Sequence, residues 1–192
     1  PPTPATDGDT AAPVADFSDI KGHWAAASIQ EAAGLGIVKG YADGTFHPSA
    51  HVTRAEFATM LVRMLKPATL ATNVDQPAFT DAAQIGSWAQ SDIATASVLG
   101  WIKGNADGSF RPNASITRAE MAVMVSRAMG STASAAEVTF ADTAKIPSWA
   151  KEAATQMQQS GLMNGRANGA FDPSALTTRA EAAQVLIRAH HQ

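Results

Sequence analysis

The tetrapeptide Thr-Arg-Ala-Glu occurs three times in this chain, at 53–56, 117–120 and 178–181. Thr followed three positions later by Glu, ahead of an apolar stripe, is a capping box. The Thr hydroxyl accepts the backbone N–H of the Glu, and the Glu carboxylate accepts the N–H of the Thr. This chemistry accounts for Thr53 and Glu56, Thr117 and Glu120, and Thr178 and Glu181. It does not account for the arginines between them. The first helical turn sits at the positive end of the helix dipole and favours acidic residues. Arg54, Arg118 and Arg179 oppose that preference in every copy. An arginine fork beside free helix-start N–H groups makes an anion site. These arginines are expected to serve a ligand as well as the fold.

Three further sets of residues recur in step. Phe-x-Asp places Asp19, Asp81 and Asp142 at equivalent positions. Such an aspartate could cap a turn, or accept sugar hydroxyls or pair with a neighbouring arginine. Trp24, Trp88 and Trp149 follow. They read as partly core, with an indole flank suited to a sugar face, because indole joins an apolar body to an N–H donor. Lys39-Gly40-Tyr41 and Lys103-Gly104-Asn105 form the third set, with Asn164-Gly165-Arg166 in the last copy. Lysine at a helix end can simply favour the dipole. Beside glycines with exposed N–H groups it also suits an anion.

Catalytic chemistry is poorly served. Glycoside hydrolysis needs one acid of raised pKa and a partner carboxylate at a defined distance. Carboxylates repeated three times suit binding better than a single centre. Neither Gly-x-Ser-x-Gly nor His-Glu-x-x-His is present. His47 and His51 are four apart, but Pro48 lies between them and no other copy matches, which argues against zinc. Calcium loops need alternating acidic or Asn ligands and a distal Glu. Here Lys39 and Tyr41 stand where ligands would, and Asn168 replaces the turn Asp in the third copy. No metal and no cofactor is expected. Cysteine is absent, so disulfides and thiol catalysis are excluded. The formal charge of -3 lacks the basic surplus of nucleic-acid domains. No apolar run approaches the roughly 18 residues of a membrane span. No basic, apolar leader is seen in this segment. A chain opening on Pro1 reads as processed or as a fragment.

These residues need elements to position them, and the repeat supplies the elements. The interval from Trp24 to Glu56, from Trp88 to Glu120 and from Trp149 to Glu181 is 32 residues in each case. Between them lies Gly-x-Phe-x-Pro, at 44–48, 108–112 and 169–173. Six of the eight arginines fall at two equivalent positions, the second being Arg63, Arg127 and Arg188. Each copy reads as helix, turn, helix. In copy one the first helix is expected over 24–33, ending at Gly34 to Gly36, where glycine supplies a left-handed cap. The second starts at Thr53 and buries Phe57, Met60, Leu61 and Met64 at helical spacing. Copy two shows Met121, Met124 and Val125, and copy three Val185, Leu186 and Ala189. Val52 with Phe57, and Ile116 with Met121, form hydrophobic staples that Thr177 and Ala182 break. The expected organisation is a flexible arm at 1–15 and repeats at 16–66, 78–129 and 139–192, forming one compact domain. The stretches 67–78 and 130–139 read as connectors.

Together these motifs resemble the S-layer homology family, over residues 17 to about 189. The resemblance rests on Phe-x-Asp, the Trp, Gly-Tyr-Ala-Asp-Gly-Thr-Phe-x-Pro at 40–48 and the three Thr-Arg-Ala-Glu motifs. It implies a mainly α fold: three tandem helix-turn-helix repeats in a pseudo-three-fold, three-pronged spindle with a central three-helix bundle. It also implies non-covalent anchoring to a Gram-positive cell wall. The implied partner is a secondary cell-wall polysaccharide linked to peptidoglycan, held in inter-repeat grooves by its pyruvylated N-acetylmannosamine terminus. Nucleic acid and membrane insertion are not implied. S-layer lattice neighbours would be met through parts of the protein outside this chain. A compact carboxylate such as pyruvate fits the arginine site derived above. A protein-interaction or self-assembly module, its arginines meeting acidic partners, is the alternative. Copy three departs at Asn164, Arg166 and Asn168, so its groove is expected to be the weakest.

Overall fold

A computed structural model describes residues 16–67, 79–130 and 140–192. The expectations for the arm at 1–15 and for nearly all of both connectors lie outside these residues. Among the described residues six α-helices run in order: α1 (Ala26–Gly34), α2 (Arg54–Leu65), α3 (Ser87–Val98), α4 (Arg118–Met129), α5 (Ser148–Gln159) and α6 (Arg179–His190). Single 3-10 turns at Ala82–Gln84 and Thr143–Lys145 precede α3 and α5. There is no strand among the described residues.

The even-numbered helices begin as their sequence requires. Thr53, Thr117 and Thr178 each accept the N–H of the Glu three residues on, and each Glu side chain returns to the Thr N–H. The first helix starts later than expected. Trp24 lies in the turn ahead of it, and Ala25 takes the cap position without a side-chain cap bond. Nothing in that segment supplies a short polar side chain to fix the start. Gly36 closes the helix at φ +73°.

Packing runs between copies. α2 packs against α4 and α6 to form the centre. Each odd-numbered helix lies on the even-numbered helix of the preceding copy: α3 on α2, α5 on α4 and α1 on α6. A polar contact marks each of these interfaces. Arg63 Nε lies 3.9 Å from Asp92 Oδ2, Ser126 Oγ donates to Gln156 Oε1, and His191 Nε2 lies 2.7 Å from Glu31 Oε1.

At one end, three backbone hydrogen bonds close a ring. Val52 N donates to Thr177 O at 3.0 Å, Thr177 N to Ile116 O at 2.9 Å, and Ile116 N to Val52 O at 3.0 Å. The same three side chains are fully buried, as are Phe57, Met121 and Ala182. The expected apolar stripes are all buried: Phe57 to Met64 on α2, Met121 to Val125 on α4, and Val185 to Ala189 on α6. The pseudo-three-fold spindle implied by the motifs is the fold observed.

Candidate functional site

The Phe-x-Asp aspartates act first on the loop of their own copy. Asp19 accepts from Phe46 N at 2.8 Å and from His47 N at 2.7 Å. Asp81 does the same for Phe110 and Arg111, and Asp142 for Phe171 and Asp172. His47, Arg111 and Asp172 have φ of +55°, +57° and +60°. A non-glycine residue there is costly, and two N–H bonds to one carboxylate hold it in place. Burial raises the Asp142 pKa, but the N–H donors of Phe171 and Asp172 outweigh it and leave the carboxyl below its usual value. Phe17, Phe79 and Phe140 pack against Phe46, Phe110 and Phe171 with ring centroids 5.1–5.4 Å apart. Phe17 also explains Gly40, since its ring occupies the space a side chain at 40 would need. At Gly104 a Cβ would lie 3.2 Å from Phe79, and at Gly165 3.2 Å from the backbone of Gly169.

The clamped loops then receive the arginines, and here the copies interlock. Arg54 of copy one donates from Nε to Phe110 O of copy two at 2.8 Å, and from Nη1 to Glu120 at 2.7 Å. Arg118 donates from Nε to Phe171 O at 2.8 Å, and its Nη1 lies 3.8 Å from Glu181. Arg179 closes the cycle onto copy one, with Phe46 O at 2.9 Å and Glu56 at 3.8 Å. Each guanidinium also lies over the phenylalanine it reaches, 4.5–5.4 Å from the ring centroid. Burial lowers the Arg54 and Arg118 pKa values, opposed by Glu120 and Glu181, while Arg166 lowers Arg118 further.

The expectation of free N–H groups at these helix starts is overturned. Arg54 N donates to Ala114 O and Ala55 N to Pro112 O. Arg118 and Ala119 find Ala175 and Pro173, and Arg179 and Ala180 find Ala50 and Pro48. The third N–H of each helix goes to the Thr cap. The loop of the next copy fills the positions an anion would have needed.

The tryptophans are not partly core. Trp24, Trp88 and Trp149 are 60%, 43% and 57% exposed. Trp24 stands at the rim of a pocket of about 250 Å³. That pocket draws on all three copies: Trp24 from the first, Arg118 from the second, and Asn164, Gly165, Arg166, Glu181, Gln184 and Arg188 from the third. Arg166 lies 3.1 Å from Asp172 and 3.4 Å from Glu181. Glu181 is thus shared between Arg166 and Arg118. Arg188 Nη1 donates to Leu162 O at 3.3 Å. Arg188 and Gln184 were not singled out as site residues. The recurrence of Arg63, Arg127 and Arg188 was the signal available for the first, and Gln184 carries none.

The other loop residues keep the same register. Lys39 is exposed and its carbonyl accepts from Arg179 Nη2 at 2.9 Å, as Asn164 O accepts from Arg118 Nη2 at 3.3 Å. Tyr41 has its ring 5.1 Å from the Arg179 guanidinium. Lys103 and Gly104 are exposed on the copy-two loop. Among the described residues no group of His, Asp and Glu could hold a metal ion.

Residues 16–58, 78–122 and 139–183 match the S-layer homology domain. The chain belongs to the S-layer homology family. It is 36% identical over 175 residues to an exoglucanase of Acetivibrio thermocellus, covering 88% of this chain and 16% of the relative. It is 41% identical over 116 residues to a cellulosome-anchoring protein of the same species, covering 59% of the chain and 26% of the relative. It is 32% identical over 180 residues to an S-layer protein of Bacillus anthracis, covering 92% of the chain and 21% of the relative. The chain therefore spans well under a third of each of these relatives. The family is a cell-wall anchoring module, and places the chain outside the cell at the wall of a Gram-positive bacterium. No helix among the described residues is long and apolar enough to cross a membrane.

Proposed function

We propose that this S-layer homology domain anchors its parent protein by binding a secondary cell-wall polysaccharide in grooves between copies, and has no catalytic role of its own. The observation that carries this reading is the pocket at the copy-three loop. Three arginines, Arg118, Arg166 and Arg188, line it together with one carboxylate, Glu181, and the exposed Trp24 indole. A cationic pocket beside an aromatic face suits an acidic sugar. Its carboxylate meets arginine forks, while its apolar face lies on the indole. A pyruvylated N-acetylmannosamine terminus has both features.

Repeat register assigns the other two grooves. The copy-one loop, with Lys39, Gly40 and Tyr41, pairs with Trp88, Arg179 and Glu56. The copy-two loop, with Lys103 and Gly104, pairs with Trp149, Arg54 and Glu120. Asp19, Asp81 and Asp142, with Thr53, Thr117 and Thr178, act by shaping the loop and helix start on which the ligand rests.

Binding of purified wall polymer, with and without its pyruvate, tests the reading directly. Trp24→Ala is the informative variant, because an exposed side chain is removed and the core is left intact. Affinity of the copy-three groove for a short pyruvylated fragment should fall about tenfold, or ~1.4 kcal/mol. Equal binding by polymer stripped of pyruvate would overturn the proposed ligand.

A further inference from the structure

The copy-three loop carries two Asn-Gly pairs, Asn164-Gly165 and Asn168-Gly169, where copies one and two carry Lys-Gly and Asp-Gly. Asn-Gly is the dipeptide most prone to self-modification, because glycine has no Cβ to shield the backbone nitrogen that attacks. That nitrogen bonds to the Asn side-chain carbon Cγ and ammonia leaves, closing a five-membered succinimide. One water then opens the ring at either carbonyl, giving aspartate or isoaspartate. The reaction needs the glycine N–H to lose its proton, and the fold treats the two pairs differently.

At Asn168 the fold opposes it. Gly169 N donates to Arg166 O at 2.7 Å, so the proton sits in a short hydrogen bond. The Asn168 side-chain oxygen is itself engaged, accepting Ala170 N at 3.1 Å. Both reacting groups are held in the turn.

At Asn164 the fold promotes it. Asn164 is exposed, and its backbone carbonyl accepts from Arg118 Nη2 at 3.3 Å. That carbonyl and Gly165 N belong to one peptide unit. A guanidinium on the oxygen stabilises the amidate anion that forms when the nitrogen gives up its proton, as any adjacent cation favours an anionic form. Arg166 and Arg188 line the same pocket and act in the same sense. Arg179 makes the equivalent contact to Lys39 O in copy one, where no amide stands to be attacked.

We propose that Asn164 is a site of spontaneous deamidation, activated by Arg118, and that its conversion switches off the copy-three groove. The product places a carboxylate among Arg118, Arg166 and Arg188, where an acidic ligand would compete with it. Isoaspartate also adds a methylene to the main chain, displacing the carbonyl that Arg118 holds. The modification stands on the geometry alone; the effect on binding rests on the function proposed above.

The test is to age the full chain at mildly alkaline pH and follow both sites by peptide mass spectrometry. A parallel sample is kept unfolded in denaturant. In the folded chain the Asn164 peptide should convert, with isoaspartate and aspartate both formed, while Asn168 stays largely intact. In denaturant the two should react at similar rates. Arg118→Lys, which cannot present the planar fork, should slow Asn164 severalfold in the folded sample and leave the denatured rates unchanged. Equal conversion of both sites in the folded chain, or an inert Asn164, would overturn the assignment. For the consequence, an aged sample is compared with its own fresh control in two chains, the native one and Asn164→Lys, which has no amide at 164 to lose. Ageing is expected to remove pyruvylated-fragment binding at the copy-three groove of the first and to leave the second at the level its own fresh sample shows. Full conversion with binding unchanged would refute the switch. Absence of binding in the fresh chain would instead sink the functional reading and leave the mass result standing.

Discussion

Val52, Ile116 and Thr177 meet where the three copies join, each passing a backbone N–H to the next. Two are apolar, while Thr177 is fully buried and its Oγ1 has no hydrogen-bond partner among the described residues. An unsatisfied buried hydroxyl costs about 1–3 kcal/mol, whereas replacing it with an apolar group of the same shape is neutral or stabilising. Thr177→Val keeps the branched shape and the backbone bonds. It should raise stability by about 1 kcal/mol, seen as a higher urea midpoint with unchanged slope. A lower midpoint would show that the hydroxyl is satisfied. At the same scale, the aspartates illustrate how a residue can be legible while its role is not. Asp19, Asp81 and Asp142 stood out by recurrence, but their partners lie 27 to 30 residues away. Neither a cap on a local turn nor a pair with a neighbouring arginine describes the clamp they make.

Among the elements, helix α2 shows what local chemistry decides and what it leaves open. The capping box is written within four residues, so Thr53 and Glu56 could be assigned from sequence, as could their equivalents. What fills the remaining N–H groups could not, because the carbonyls of Pro112 and Ala114 arrive from the next copy. The arginine followed the same rule. Its placement against the dipole signalled a charge partner, and that partner is Glu120 together with the Phe110 carbonyl. The anion expected at the helix start is thus supplied in part by the protein. This changes how an arginine variant is read. Arg54 is only 5% exposed. Removing one member of a buried pair costs about 3–5 kcal/mol, because Glu120 and Phe110 O are left behind. Arg54→Ala is therefore expected to lower stability by roughly 3 kcal/mol, measured by denaturant unfolding. Any loss of polymer binding in that variant then has to be compared at equal folded fraction. A change below about 0.5 kcal/mol, the ordinary surface range, would show that the buried pair adds little to the fold and would leave ligand binding as the role of Arg54. The tryptophans depart in the opposite direction. Their apolar mass suggests a partly buried ring, yet all three are exposed, and Trp24 lines the pocket.

At the scale of the whole molecule, the decisive feature is that no copy completes itself. The repeat register predicted three similar units, but each odd-numbered helix rests on the even-numbered helix of the copy before. For α3 and α5 that neighbour is one connector away along the chain. For α1 it is α6, at the other end of the sequence, joined through Glu31 and His191 and through Arg179 on the copy-one loop. The three arginine contacts and the three-membered backbone ring are likewise cyclic, so each set fails if one copy is missing. A fragment of copies one and two would leave Arg118 without Phe171 O and Glu181, Val52 N without Thr177 O, and α1 without α6, the helix it packs on. Each unmet buried group adds to the loss, and small units already bury too little surface to tolerate it. The intact chain is therefore expected to unfold in one cooperative transition, with thermal and denaturant probes coinciding. The two-copy fragment is expected to lack a sharp transition, or to associate so that a second chain supplies the missing faces. Circular dichroism melts with sedimentation velocity distinguish these from a folded monomer. A monomeric fragment that melts sharply near the temperature of the whole would mean that closure is dispensable. The pocket at Trp24, built from all three copies, would still depend on it.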